Sequence, residues 1–162
     1  VLMGQSLNLV EIVAKQDETL WFIVPQFVGF VVFMLAGIAE TSRPPFDLPE
    51  ADTEIVAGYH TEYSGMRWGL FQMAEYINLI TISALIVTLF FGGWHFPWVD
   101  ALDQLGPLWF LLKLFVLLFV FIWLRTTLPR LRYDQLMSFG WKILLPVATI
   151  NALVTAFLVV LL

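Results

Sequence analysis

Two stretches of about twenty residues, Leu20 to Ala39 and Ile143 to Leu162, contain no Asp, Glu, Lys or Arg, which is the length an α-helix needs to cross a bilayer. Two further runs, 68–91 and 107–124, are interrupted by one charge each, Glu75 and Lys113. No water is present in the hydrocarbon layer, so a spanning segment must satisfy every backbone N–H and C=O internally. Runs of this length do so as helices, whereas barrel strands need only about ten residues. Composition agrees: 60% of residues are hydrophobic and 13% charged, against roughly 25% charged in a soluble domain.

The expected fold is an all-α polytopic membrane protein, one membrane domain over 1–162. It has about four transmembrane helices, at 20–39, 68–91, 107–124 and 143–162. Pro44, Pro45 and Pro49 close the first, Gly92 and Gly93 the second; Pro107 opens the third, and Pro129 sits in the last loop. Pro25 and Pro146 fall in first turns, where a missing N–H costs little. Residues 1–19 read as an interfacial segment: an apolar start followed by Glu11, Lys15, Asp17 and Glu18. The chain opens at Val1 without an initiating Met or signal peptide, so a processed or truncated piece of a longer protein is expected.

Four consecutive spans place loops 40–67 and 125–142 on one face. That face carries Arg43, Arg67, Arg125, Arg130, Arg132 and Lys142, and the other only Lys15. The positive-inside rule then puts both long loops in the cytoplasm, or in the matrix or stroma of an organelle. Most of the tryptophans, Trp21, Trp94, Trp98, Trp109, Trp123 and Trp141, fall near span ends and read as an interfacial belt.

With no Cys the chain has no ligands for thiolate zinc or Cys-bound iron–sulfur sites, and its two His, His60 and His95, lie far apart, which argues against a bis-His haem or zinc site. No metal site and no redox cofactor are expected on it. A net charge of −5 argues against nucleic-acid binding.

The first loop gathers Glu40, Asp47, Glu50, Asp52, Glu54 and Glu62 against Arg43 and Arg67. Asp47 and Glu50 have capping-box spacing and Gly58 supplies a stop, so a short helix is expected from about Leu48 to Ala57. On it Asp47, Glu50 and Glu54 lie within about 60° of each other, beside an apolar stripe of Leu48, Ala51 and Ile55. Such a row relaxes by pairing with arginine or by keeping protons. One reading is a helix cap on a solvated loop. The other is a partly enclosed chamber of coupled carboxylates, favoured by the Pro44, Pro45, Phe46, Pro49, Val56, Tyr59 and Tyr63 packed into the same loop. The more basic second loop, with Asp134 its one acid, is expected to face it. His60 neighbours Glu62 and is a candidate for a proton path. Glu75 lies two turns into the second span on a stripe with Gly69, Gln72, Tyr76 and Ser83, where an intramembrane acid is by default a functional candidate. Lys113 divides between a snorkelling anchor and an internal ion-pair partner.

The segment AETSRPPFDLPEADTEIVAGYHTEYSGMRWGLFQMAEY, from Ala39 to Tyr76, strongly resembles the long cytoplasmic loop and following helix of the quinone-chamber membrane subunits of respiratory complex I, the NADH-quinone oxidoreductases. LRTTLPRLRYDQLMSFGWKILLP, from Leu124 to Pro146, is similar to the second signature of that family. The resemblance covers nearly the whole chain. It implies the second half of an eight-helix membrane protein, its helices five to eight, with Val1 to Gly4 the tail of the fourth. It also implies quinone as substrate, and a chamber leading to an acidic proton path whose groups are Glu40, Asp47, Glu50, Asp52, Glu54, Glu62 and Glu75. Arg43 would be their cationic partner, and Arg43, Phe46, Tyr59 and His60 would line the chamber. Asp52 replaces the usual Glu and Ser42 the common Asn; the aspartate keeps the charge but has a shorter reach. Implied partners are the iron–sulfur hydrophilic arm, the antiporter-like membrane subunits and the lipid membrane, with flavin and iron–sulfur clusters on partner chains. Reduction of quinone takes up protons, and the altered charge shifts the proton affinities of the neighbouring acids. Alternatives are a proton-path subunit of an energy-converting hydrogenase or other complex I-like assembly, an independent ion transporter, and a purely structural anchor. The PFDLPEA and EYSGM contexts favour the quinone-linked branch.

Overall fold

The computed structural model describes residues 1–18, 20–41, 45–46, 62–95, 105–129 and 131–161, and every regular element among them is helical. In chain order these are α1 (Leu9–Glu18), α2 (Phe27–Glu40), α3 (Met66–Phe90), α4 (Gly106–Thr127), α5 (Tyr133–Phe139) and α6 (Leu145–Leu161). The π-helical turn Gly140–Leu144 joins α5 to α6, giving one rod, Tyr133–Leu161. Helices α3 and α4 and this rod are long and apolar enough to cross a membrane; α2 is a shorter apolar helix.

The helix in the first apolar run starts later than the run itself. Residues 22–26 form a turn, and Pro25 stands before the non-helical N-cap Gln26. The Ile23 N–H donates to Phe90 O at 3.1 Å, at the far end of α3, so this stretch gives a backbone donor to a neighbouring helix. At the other end of α2, the buried Thr41 donates its Oγ1 to the carbonyls of Gly37 (3.0 Å) and Ile38 (3.2 Å).

The second loop is also shorter than the apolar runs suggest. Helix α4 carries on to Thr127 and α5 opens at Tyr133, leaving only 128–132 between them. Pro146 therefore sits inside a helical rod instead of in a first turn. It has no N–H to give, and its ring crowds the carbonyl four residues back. The chain answers with the widened turn just ahead of it, in which the Leu145 N–H bonds Gly140 O, five residues back.

The long helices run antiparallel. Phe30, near the start of α2, packs edge-on against Phe90 and Phe91 at the end of α3, both at 5.6 Å between centroids. Farther along, Gly37 of α2 meets Ile82 of α3. Helix α4 returns along α3, and their shared core is Ile38, Leu79, Ile82, Ile86, Val87, Leu117 and Phe121. The 3–4 spacing of Leu79, Ile82 and Ile86 gives α3 one continuous buried stripe. Outward faces are the reverse of a soluble protein's: Phe115, Phe119 and Phe157 are each about two-thirds exposed.

Lipid tails are as apolar as leucine, so burial alone does not drive these helices together; close packing and buried polar contacts must. The structure holds two such polar knots. Buried Gln16 of α1 donates its Nε2 to Thr88 O (3.0 Å), while its Oε1 accepts the N–H groups of Phe22 (3.3 Å) and Gly92 (3.0 Å). Between α2 and α6, Asn151 Nδ2 donates to Gln26 Oε1 (3.0 Å), and Gln26 Nε2 donates to Thr155 Oγ1 (2.6 Å).

Candidate functional site

The sequence-derived acids that fall on described residues, Glu40, Glu62 and Glu75, belong to the half of the bundle where α2 stops, α3 begins and α4 meets α5. Glu40 is the exposed last residue of α2. Glu62 is exposed in the turn before α3, and beside it Tyr63 packs edge-on against Phe71, 4.9 Å between centroids. Arg43, Asp47, Glu50, Asp52, Glu54, Tyr59 and His60, with the expected helix at 48–57, lie outside the described residues.

Glu75 is half-buried and lies on the core-facing stripe of α3, one turn before Leu79 and two before Ile82. Its neighbour Tyr76 lines a small crevice with Leu79, Phe121, Ile122 and Arg125. That lining fixes the antiparallel register of α3 and α4, and in it Glu75 falls at the depth of Arg125. A carboxylate at this position is costly if it faces lipid, and Glu75 lies instead on the side of α3 turned toward protein. Of the polar stripe read from the sequence, Ser83 is fully buried and bonded within its own helix, its Oγ donating to Leu79 O at 2.8 Å.

The two loops meet. The Leu131 N–H, from the second, donates to Pro45 O of the first at 3.1 Å. Phe46 stacks on Phe139 of α5 at 6.4 Å and 25° between ring planes, and is half-buried there. This contact makes an apolar, aromatic wall close to the ends of α2 and α4. Phe139 and Arg125 are not among the site residues expected from sequence. Arg125 enters there only through the topology argument, because in the sequence it falls just outside the span 107–124.

Lys113, the other intramembrane charge, stands at the opposite end of the bundle. Among the described residues it pairs with no acid: its Nζ reaches the turn beyond α3 and donates to the carbonyls of Phe91 (2.8 Å), Gly93 (3.0 Å) and His95 (2.6 Å). Also at this end, His95 Nδ1 lies 3.8 Å from Asp17 Oδ2.

With this geometry in place, comparison with known proteins gives the family. A family model described as NADH dehydrogenase matches residues 1–156. The H subunit of NADH-quinone oxidoreductase from Anoxybacillus flavithermus is 54% identical over 157 residues, which is 96% of this chain and 46% of that protein. The chain thus spans about half the length of the curated relative it matches. Its apolar helices and the match over almost its full extent place it among membrane proteins, and it belongs to the NADH dehydrogenase family.

Proposed function

We propose that this chain is part of the membrane subunit of a proton-pumping NADH:quinone oxidoreductase, where it forms one side of the quinone chamber and the start of an acidic proton path. The observation that carries the reading is the union of the two loops, Leu131 on Pro45 and Phe46 on Phe139. An aromatic wall at the end of the bundle where α2 stops suits a quinone ring, whose faces are apolar and whose two carbonyl oxygens need protons. Electrons come from partner chains of the iron–sulfur arm. Reduction to quinol consumes two electrons and two protons, and the change in charge alters the proton affinity of the carboxylates along α3 and the first loop. Glu40, Asp47, Glu50, Asp52, Glu54, Glu62 and Glu75 are the proton-transfer groups of this reading, and Arg43, Phe46, Tyr59 and His60 its chamber lining. Arg67, Arg125, Arg132 and Lys142 gather at the end that carries Glu40, which by charge bias is the cytoplasmic, matrix or stromal side.

The test is Phe46→Ala in the full-length protein within the assembled complex. NADH oxidation by a hydrophilic electron acceptor should be unchanged, while the KM for a short-chain quinone rises severalfold and a tunnel-blocking inhibitor binds correspondingly less tightly. If KM and inhibitor affinity stay at the wild-type values in an assembled complex, the wall is not part of the chamber. Loss of assembly alone would favour the anchor reading.

A further inference from the structure

The end of α3 opposite the acids is built around a cation. Gly92 and Gly93 both have positive φ, 69° and 55°. A side chain at either is also excluded by space: a Cβ on Gly92 would stand 2.8 Å from Trp21 Nε1, and one on Gly93 would stand 2.9 Å from Val13 Cγ2. The turn sends its N–H groups inward, Gly92 to Gln16 Oε1 (3.0 Å) and Gly93 to Val87 O (3.0 Å). The carbonyls of alternate residues, Phe91, Gly93 and His95, then converge on the Lys113 ammonium. An ammonium has three donors, and here three carbonyls take them. The ring of Trp21 lies 4.7 Å from the same nitrogen, a cation–π contact. Beside the lysine stem is a cavity of about 150 Å³ lined by Trp21, Phe91, Trp109, Leu112 and Val116, apolar throughout.

We infer that the turn Phe91–His95 together with Trp21 is a binding site for a primary alkylammonium group, which the chain fills with its own Lys113. The carbonyls supply three acceptors just past the C-terminus of α3, where the helix dipole adds its own negative potential, the indole face supplies a second attraction, and the apolar cavity accepts an alkyl stem. A bare charge does not meet these demands; three N–H donors on a slim apolar tail do. The occupant ties α4 to the end of α3, so the site is a structural cation centre independent of the quinone chemistry proposed for the other end.

Lys113→Ala removes three carbons and the ammonium, the size of n-propylammonium. In the full-length protein extracted from membranes with its natural partners, this variant should shorten the thermal half-life of the folded protein by about tenfold or more, since three charge-assisted bonds are lost from a half-buried site. n-Propylammonium at tens of millimolar should restore most of the loss, while N,N,N-trimethylpropylammonium, equal in charge but without N–H donors, should not. The wild-type half-life should respond to neither. Lys113→Met, which keeps the stem, should behave like Lys113→Ala. If the alanine variant fails to accumulate, propylamine in the growth medium should raise its abundance. Absence of rescue by propylammonium in both assays, equal rescue by the quaternary ion, or wild-type behaviour of Lys113→Met would each overturn the assignment.

Discussion

Gly37 and Ile82 approach so closely that a Cβ on the glycine would stand 2.7 Å from Ile82 Cγ2. The contact lies at the junction of α2, α3 and α4, with Phe121 Cζ 4.0 Å away. Gly37→Ala therefore has to push α2 away from α3 and should cost about 1–3 kcal/mol, the usual penalty of overpacking. At Gly69, also on α3, an added methyl would meet nothing within 4 Å, and Gly69→Ala should be neutral or stabilising by up to about 1 kcal/mol. Thermal half-lives of the two variants, compared with wild type, check the contrast.

Gln16→Leu keeps much of the volume and removes every hydrogen bond of the knot. It leaves the Phe22 and Gly92 N–H groups and the Thr88 carbonyl without this partner, each worth about 1–3 kcal/mol when unsatisfied. Amide exchange should rise at Phe22 and Gly92 ahead of the core of α3. Unchanged protection at both would show that the glutamine is not what holds that end.

Gln26 and Asn151 are coupled directly, and both act through the same pair of helices. A double-mutant cycle with Gln26→Ala and Asn151→Ala should return a favourable coupling of about 0.6 kcal/mol, the average for such bonds inside membranes. A coupling of zero would mean that the amides find other partners when separated.

Glu75→Gln in the assembled complex should lower quinone-linked proton transfer while leaving assembly intact, because the amide keeps the shape and loses the titratable proton. The ratio of protons moved to electrons transferred is the measurement. Wild-type ratio and rate would remove Glu75 from the path.

Much of the architecture is legible in the sequence because apolar runs and their breakers are local signals. Pro107, for instance, does open a helix, at the second residue of α4. Pro146 misleads for the same reason: it looks like a helix start until its turn is seen to widen and let the rod continue. The knots are not legible. Gln26 and Asn151 are separated by most of the chain, and no periodicity connects them. Lys113 stands out as an anomaly, but its partners are backbone carbonyls, which carry no residue-type signature. Of the candidate site, Glu40, Phe46, Glu62 and Glu75 fall on described residues, and Phe46 gains a partner, Phe139, that only the meeting of the two loops supplies.

The rod Tyr133–Leu161 is gripped at two levels by one continuous stretch of chain, by Gln26 near its far end and by Phe46 beside its beginning. Between Phe139 and Thr155 lie about 24 Å of helix axis. A beam held at two such distant points does not tilt about one without straining the other, so leaning of the rod is resisted by the aromatic stack and by the amide pair together.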